Sequence, residues 1–166
     1  NLSDTAAQQS IIADLAVDSS GRVHVVWQEQ SAGIYNIYYS HGTPGHWTAP
    51  ENISASTSDA ALPAIAADAG NDLHVVWDES LWLKYRRFSA PVASWGPVVG
   101  LQETESIADA TVALDRNQVP RVAWAQRDRG DDWEVYESPL AYWLWMPQVF
   151  WPIVSAAASQ PLQMYQ

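Results

Sequence analysis

The sequence predicts an all-β protein built from tandem antiparallel units, and three recurring landmarks lead to that expectation. A Val-Val-Trp type segment appears as Val23–Trp27, Leu73–Trp77 and Arg121–Trp124, with its tryptophans 50 and 47 residues apart. An aspartate stands nine residues before each tryptophan, at Asp18, Asp68 and Asp115. A second tryptophan with a proline close behind follows 20, 18 and 21 residues later, as Trp47 with Pro50, Trp95 with Pro97 and Trp145 with Pro147. Fixed order at a near-constant period marks an internal repeat, and helix signals are absent.

Each unit reads as four short strands. Strand one is the apolar piece before the aspartate: Leu15–Val17, Ile65–Ala67 and Val112–Leu114. The aspartate then opens a tight turn, as Asp18-Ser-Ser-Gly21, Asp68-Ala-Gly-Asn71 and Asp115-Arg-Asn117, where side-chain acceptors and backbone freedom favour a hairpin. Strand two is the tryptophan segment. Strand three covers Ile34–Ser40, Leu81–Phe88 and Trp133–Ser138, and strand four follows the second tryptophan.

Four strands in about 50 residues match a β-propeller blade. The blades fall at 1–53, 54–101 and 102–154, and 155–166 begins a further one, because Asn1–Ser3 aligns with Asn52–Ser54 and Pro161–Gln166 with Pro63–Asp68. In this reading Asp18, Asp68, Asp115, Trp27, Trp77, Trp124, Trp47, Trp95 and Trp145 are repeat-structural residues. Propellers close with about four to eight blades. Further blades or another subunit must therefore cover the open faces, which carry residues such as Val25 and Trp27.

Composition narrows the function classes. The 166 residues are 48% hydrophobic and 16% charged, enough apolar material for a packed core. Eight basic against nineteen acidic residues give a net charge of -11, which excludes a nucleic-acid binder relying on phosphate neutralisation. There is no cysteine, so disulfides and thiolate metal sites are ruled out. No run reaches the roughly 18 apolar residues of a membrane span; Tyr142–Val154 is interrupted by Pro147 and Pro152. Ten tryptophans and seven tyrosines supply rings suited to half-buried strands and to sugar or partner surfaces.

The loop between strands three and four keeps Ser at its first and Trp at its eighth position in Ser40–Trp47 and Ser138–Trp145. This resembles the Asp-box hairpin of bacterial sialidase-like (BNR-type) repeats, with Gly42 and Leu140 in place of the central aspartate and Ser89–Trp95 one residue short. The wider order of aspartate turn, Val-His-Val-Val-Trp, Ile37-Tyr-Tyr-Ser40, Trp and Pro is similar to that family throughout. The resemblance implies, for active members, an arginine triad, a Tyr–Glu nucleophile pair and an acid/base aspartate. None can be placed among Arg22, Arg86, Arg87, Arg116, Arg121, Arg127 and Arg129, so no catalytic residue is assigned. A sialidase-like glycoside hydrolase would need residues outside this chain.

Binding residues are expected on one face. The loops joining strands two and three carry Glu29, Asp78, Glu79, Asp128, Asp131 and Asp132, and the joints into the next strand one add Asp59, Glu103 and Glu105. Such a mouth suits sugar hydroxyls, a basic partner or a cation such as calcium, although a solvated rim explains it too. Asp131 and Asp132 beside Trp133 are its sharpest feature, pairing hydroxyl acceptors with a stacking indole. His24 and His74 share a repeat position, read as structural rather than as metal ligands, with Val122 taken as the third-blade counterpart. His41 and His46 flank a hairpin of the first blade only.

The last strand of blade three, with Tyr142, Trp143, Trp145, Phe150 and Trp151, is an aromatic edge that calls for a partner interface. Asn1–Ser3 and Asn52–Ser54 match the glycosylation pattern, but strand-end chemistry explains their shared repeat position. The preferred function is a non-catalytic recognition or scaffold module, outside the cell or on its surface, that binds a glycan or a protein. The alternatives are the hydrolase fragment and a self-assembling structural propeller. No cofactor is expected.

Overall fold

A computed structural model describes residues 1–3, 5, 8–103, 106–127 and 132–140. It shows an all-β protein of three antiparallel sheets, with a single turn of 3₁₀ helix at Ala90–Val92 among the described residues. The first sheet runs β1 (Ser10–Val17), β2 (Val23–Ser31), β3 (Ile34–Thr43), with β4 (His46–Trp47) and β5 (Glu51–Asn52) both paired to β3. The second repeats the order with β6 (Ala60–Ala67), β7 (Leu73–Glu79) and β8 (Trp82–Ser89), then β9 (Ser94–Trp95) and β10 (Val99–Glu103) on β8. The third contains β11 (Ile107–Leu114), β12 (Pro120–Arg127) and β13 (Trp133–Pro139). The fourth strand expected beyond it, and the strand expected at 155–166, lie outside the described residues.

The expected single fourth strand is two pieces in each of the first two sheets. Pro50 and Pro97 fall in the gaps between them, where a residue without an N–H cannot continue the ladder.

The aspartate turns explain their own recurrence. Oδ1 of Asp18 accepts the N–H groups of Ser20 and Arg22 at 2.9 Å each. Asp68 takes those of Gly70 and Asp72 at 2.8 and 2.9 Å, and Asp115 those of Asn117 and Val119 at 2.7 and 3.0 Å. The fourth residue of each loop is left-handed: Gly21 (φ 82°), Asn71 (φ 66°) and Gln118 (φ 62°). Neighbouring turns are also tied together. Asn71 Oδ1 accepts from Ser19 N (3.0 Å) and Gln118 Oε1 from Ala69 N (2.9 Å), so the three hairpins form one hydrogen-bonded rim.

The core lies between consecutive sheets. Trp77 and Val75 of β7 and Ile65 of β6 pack against Val26, Ile37, Tyr39 and Ile53 of the first sheet. Trp124, Val122 and Val112 of the third pack against Val76, Leu83, Tyr85 and Leu101 of the second. Each such fully buried apolar side chain contributes roughly 1.5–3 kcal/mol. The first strands β1, β6 and β11 lie next to one another in that order.

Each first strand also bends at a bulge, where the register slips at Ile12, Leu62 and Asp109. All three are left-handed, at φ 50°, 53° and 49°, a conformation costing about 1–3 kcal/mol at a non-glycine residue. Gln28 of the first sheet accepts the Leu62 N–H at 3.1 Å, so one sheet holds the bulge of the next.

Candidate functional site

At the end of the strands opposite the aspartate turns, a groove of about 610 Å³ opens between the sheets. Ile34 lines it from the β2–β3 turn, Ser58 and Asp59 from the segment entering β6, Asp78 from β7, Leu81 from the β7–β8 turn, and Ser106 from the segment entering β11. Two tight turns shape it. Gly33 has φ 87°, while Ser80 and Leu81 have φ 56° and 76° and hold Leu81 out at 54% exposure.

The carboxylates in the groove differ. Asp59 is exposed and uses Oδ1 to accept the Tyr35 N–H at 2.9 Å, fixing the mouth of the β2–β3 turn. Asp78 is half-buried, and burial together with the neighbouring Glu79 charge pushes its carboxyl up to about 6. It occupies the repeat position of Gln28, one residue after the tryptophan, so an acid stands where the first sheet has a neutral amide. A carboxylate stripped of water in a cleft favours hydroxyl donors or a proton. Beside it, Ser58, Ser80 and Ser106 supply hydroxyls, and Ile34 and Leu81 an apolar wall.

The other predicted rim residues are placed differently. Glu29 is 1% exposed and accepts from Trp27 Nε1 at 2.9 Å and Ser10 Oγ at 2.8 Å, so its carboxylate is used inside the sheet. Glu79 accepts from Trp77 Nε1 at 3.0 Å, and Gln126 from Trp124 Nε1 at 3.2 Å. This Trp-x-Glu/Gln pairing recurs in all three sheets. It was legible as Trp27-Gln-Glu29, Trp77-Asp-Glu79 and Trp124-Ala-Gln126, because residues two apart on a strand share a face. Asp132 and Trp133 are exposed at the start of β13, Glu103 is exposed at the end of β10, and none of the three lines the groove. Asp128, Asp131 and Glu105 lie outside the described residues, as do Tyr142, Trp143, Trp145, Phe150 and Trp151.

The histidines at the shared position are interior. His24 places Nδ1 2.7 Å from Tyr39 Oη and Nε2 3.2 Å from Asp18 Oδ2. His74 repeats this, with Tyr85 at 2.9 Å and Asp68 at the longer 3.5 Å. Burial holds both imidazoles below their ordinary value against the pull of the aspartates. Asp18 remains well below the usual carboxylate range because hydrogen bonds from Ser20, Arg22 and His24 outweigh its burial. Counted from the tryptophan, the third-sheet counterpart is Arg121 rather than Val122, and Arg121 pairs with Glu137 and reaches Asp115 at 3.9 Å. Among the described residues no three His, Asp or Glu side chains converge as a metal site.

The remaining tryptophans differ too. Trp95 sets its ring edge-on to Tyr39 of the first sheet, centroids 5.1 Å apart, whereas Trp47 is 38% exposed. Asn52 Oδ1 accepts the Ala55 N–H at 2.8 Å, a strand-end role.

No protein-family model matches the sequence, and no curated protein sequence matches it. Solved structures do. The Hadza microbial sialidase Hz136 aligns over 77% of this chain at 13% identity and a TM-score of 0.60. A protein of unknown function from Dyadobacter fermentans aligns over 81% at 10% identity and 0.62. A fucose lectin from Kordia zhangzhouensis, solved with methyl-fucoside, aligns over 76% at 14% identity and 0.51. The aligned part is 34% of the sialidase, 51% of the Dyadobacter protein and 91% of the lectin. At these identities the likeness is one of fold: the chain shares its β architecture with a sialidase and a lectin. Among the described residues no helix is long and apolar enough to cross a membrane.

Proposed function

We propose that this chain is part of a non-catalytic glycan-recognition module of propeller type, acting outside the cell or on its surface, and that the groove beside Asp78 receives the sugar. Three sheets of the same strand order, with adjacent first strands and a shared hairpin rim, support a radial blade arrangement. The observation on which the sugar reading rests is the groove itself. It joins a desolvated acceptor, Asp78, to serine hydroxyls and the apolar Leu81, the mixture a saccharide presents in return. The fold shared with a fucose lectin fits that reading.

The test is a glycan array followed by calorimetry on the intact chain and on Asp78→Ala. Asp78 accepts no side-chain hydrogen bond among the described residues and its charge is disfavoured by burial, so with the variant's unfolding midpoint unchanged a loss of about tenfold or more in affinity reports recognition. Unchanged binding in the variant, or an array without a hit, removes the proposal.

A sialidase-like hydrolase is the second reading. Its support is the raised Asp78 pKa, the state a general acid needs. Among the described residues that line the groove there is no arginine to hold a carboxylate substrate, so this reading needs one from elsewhere. Release of fluorophore from a fluorogenic sialoside, lost in Asp78→Asn, would reverse that preference.

A further inference from the structure

The first two sheets differ at one pair of repeat positions. Five residues before its tryptophan the second sheet has Asp72, and opposite His74 in register it has Arg87. These two form a closed ion pair: Arg87 Nε lies 3.0 Å from Asp72 Oδ2, and Nη2 also donates to that oxygen. Asp72 takes the Ala90 N–H at 2.7 Å as well, so its carboxylate is fully engaged. The third sheet holds Val119 and Pro139 at these positions, where charge is absent.

The first sheet holds Arg22 and His41 there. Both are basic residue types. Arg22 uses its backbone N–H on Asp18, but its guanidinium makes no hydrogen bond or ion pair among the described residues. His41 keeps Nδ1 shut away from solvent with no hydrogen-bond partner among the described residues. Burial, then the charges of Arg22 and His24, push the His41 imidazole below its ordinary value, while Asp18 and Glu51 pull it back. Glu51 is itself occupied by Trp95 Nε1 at 3.3 Å. The carboxylates nearest this corner, Asp18 and Glu51, are spent on the aspartate turn with His24 and on Trp95, so neither pairs with the Arg22 guanidinium.

The corner is also concave. A groove of about 330 Å³ is lined by Arg22, His41, Thr43, His46, Trp47 and Thr48. Its wall is built by the β3–β4 hairpin, which closes tightly because Gly42 has no Cβ; one there would meet the His46 carbonyl oxygen at 2.1 Å. Thr48 is fixed by accepting the His41 N–H at 3.1 Å, and Trp47 shows 38% of its surface. The groove lies at the hairpin end of the first sheet, a nine-residue strand (β2) away from the Asp78 groove, roughly 30 Å.

We propose that this groove is an anion site, in which the carboxylate or sulfate of an acidic saccharide supplies to Arg22 the negative partner that Asp72 supplies to Arg87. His41 lines the same groove as a neutral imidazole. The guanidinium takes the anion by charge-assisted hydrogen bonds, and the sugar ring lies against Trp47. The site is separate from the Asp78 groove, so either can fail without the other.

The experiment is an NMR titration of the full chain with sodium sulfate, glucuronate and glucose. Sulfate and glucuronate shift the side-chain signals of His41 and Trp47, and glucose leaves them in place. Glucuronate binding more tightly than sulfate assigns the ring contact to Trp47 and a sugar acid as the source; equal affinity assigns the site to the anion alone and removes the saccharide part of the proposal. Arg22→Asp, which installs the acid of the second sheet, weakens glucuronate binding about tenfold to hundredfold. Arg22→Gln, which leaves the exposed backbone turn intact, serves as the second variant and weakens it similarly. No shift with either anion, equal shifts with glucose, or wild-type affinity in both variants overturns the proposal.

Discussion

The first and second sheets share strand order, turn chemistry and bulge, yet their outward-facing apolar residues meet different fates. Leu15 is 58% exposed, while its equivalent Ile65, also three residues before the aspartate, is 5% exposed because β6 packs onto the first sheet. Val25 is half-buried where Val75 is fully buried. The same pattern is therefore core or surface according to whether another sheet packs against it in the structure. The apolar face is a joint between sheets, and a sheet's place in the row sets its contribution to stability.

The largest expected effect follows from that joint. Trp77→Ala should cost about 3–5 kcal/mol in denaturant unfolding, since the ring is fully buried between two sheets. Next, Ile65→Ala should cost about 2–4 kcal/mol and Leu15→Ala under about 0.5 kcal/mol. An equal loss in the two would mean that the first sheet's face is covered in solution, and light scattering would then detect the association.

Asp78→Asn should do the opposite and stabilise by about 1–2 kcal/mol at pH 7, after allowance for solvent screening. The sign follows from a folded pKa of about 6 lying above the ordinary carboxylate value. The charged form is disfavoured in the folded state, so the gain fades as pH falls from 6 to 4. The Gln28 position of the first sheet offers no such gain, which sharpens the contrast between the two sheets.

The smallest effect is a slope. His24 and His74 are held neutral by burial, so their folded pKa values lie below the unfolded value. Stability should fall as pH drops below about 6.5, where the unfolded chain takes up protons more readily. His24→Val with His74→Val should flatten that slope in thermal unfolding between pH 7 and 5. An unchanged slope would place its origin elsewhere.

The repeat made the sheets and the aspartate turns legible, because both are local: a turn needs only its own acceptor two and four residues upstream of the N–H groups it binds. The burial of Glu29 was less apparent. It follows from alternation along β2, yet an acidic residue near a loop reads first as solvated. The bulges at Ile12, Leu62 and Asp109 had no sequence signal, since the left-handed residue is not glycine, and the one at Leu62 is held by Gln28 of the neighbouring sheet. The His24–Tyr39 and His74–Tyr85 pairs depend on register between strands two and three, which the intervening loops set. The Asp78 groove was foreseen only in part: Asp78 and Asp59 were read on the same face, while Ile34, Leu81 and the serines come from segments brought together by packing between sheets.

The most direct measurement is chemical-shift mapping of the chain with a panel of neutral monosaccharides. The account predicts that one sugar moves the signals of Gly33, Ser58, Ser80 and Ser106 together and displaces the titration of the Asp78 carboxyl from about 6. Movement confined to other residues, with these signals fixed and Asp78 titrating as in the free chain, would contradict it.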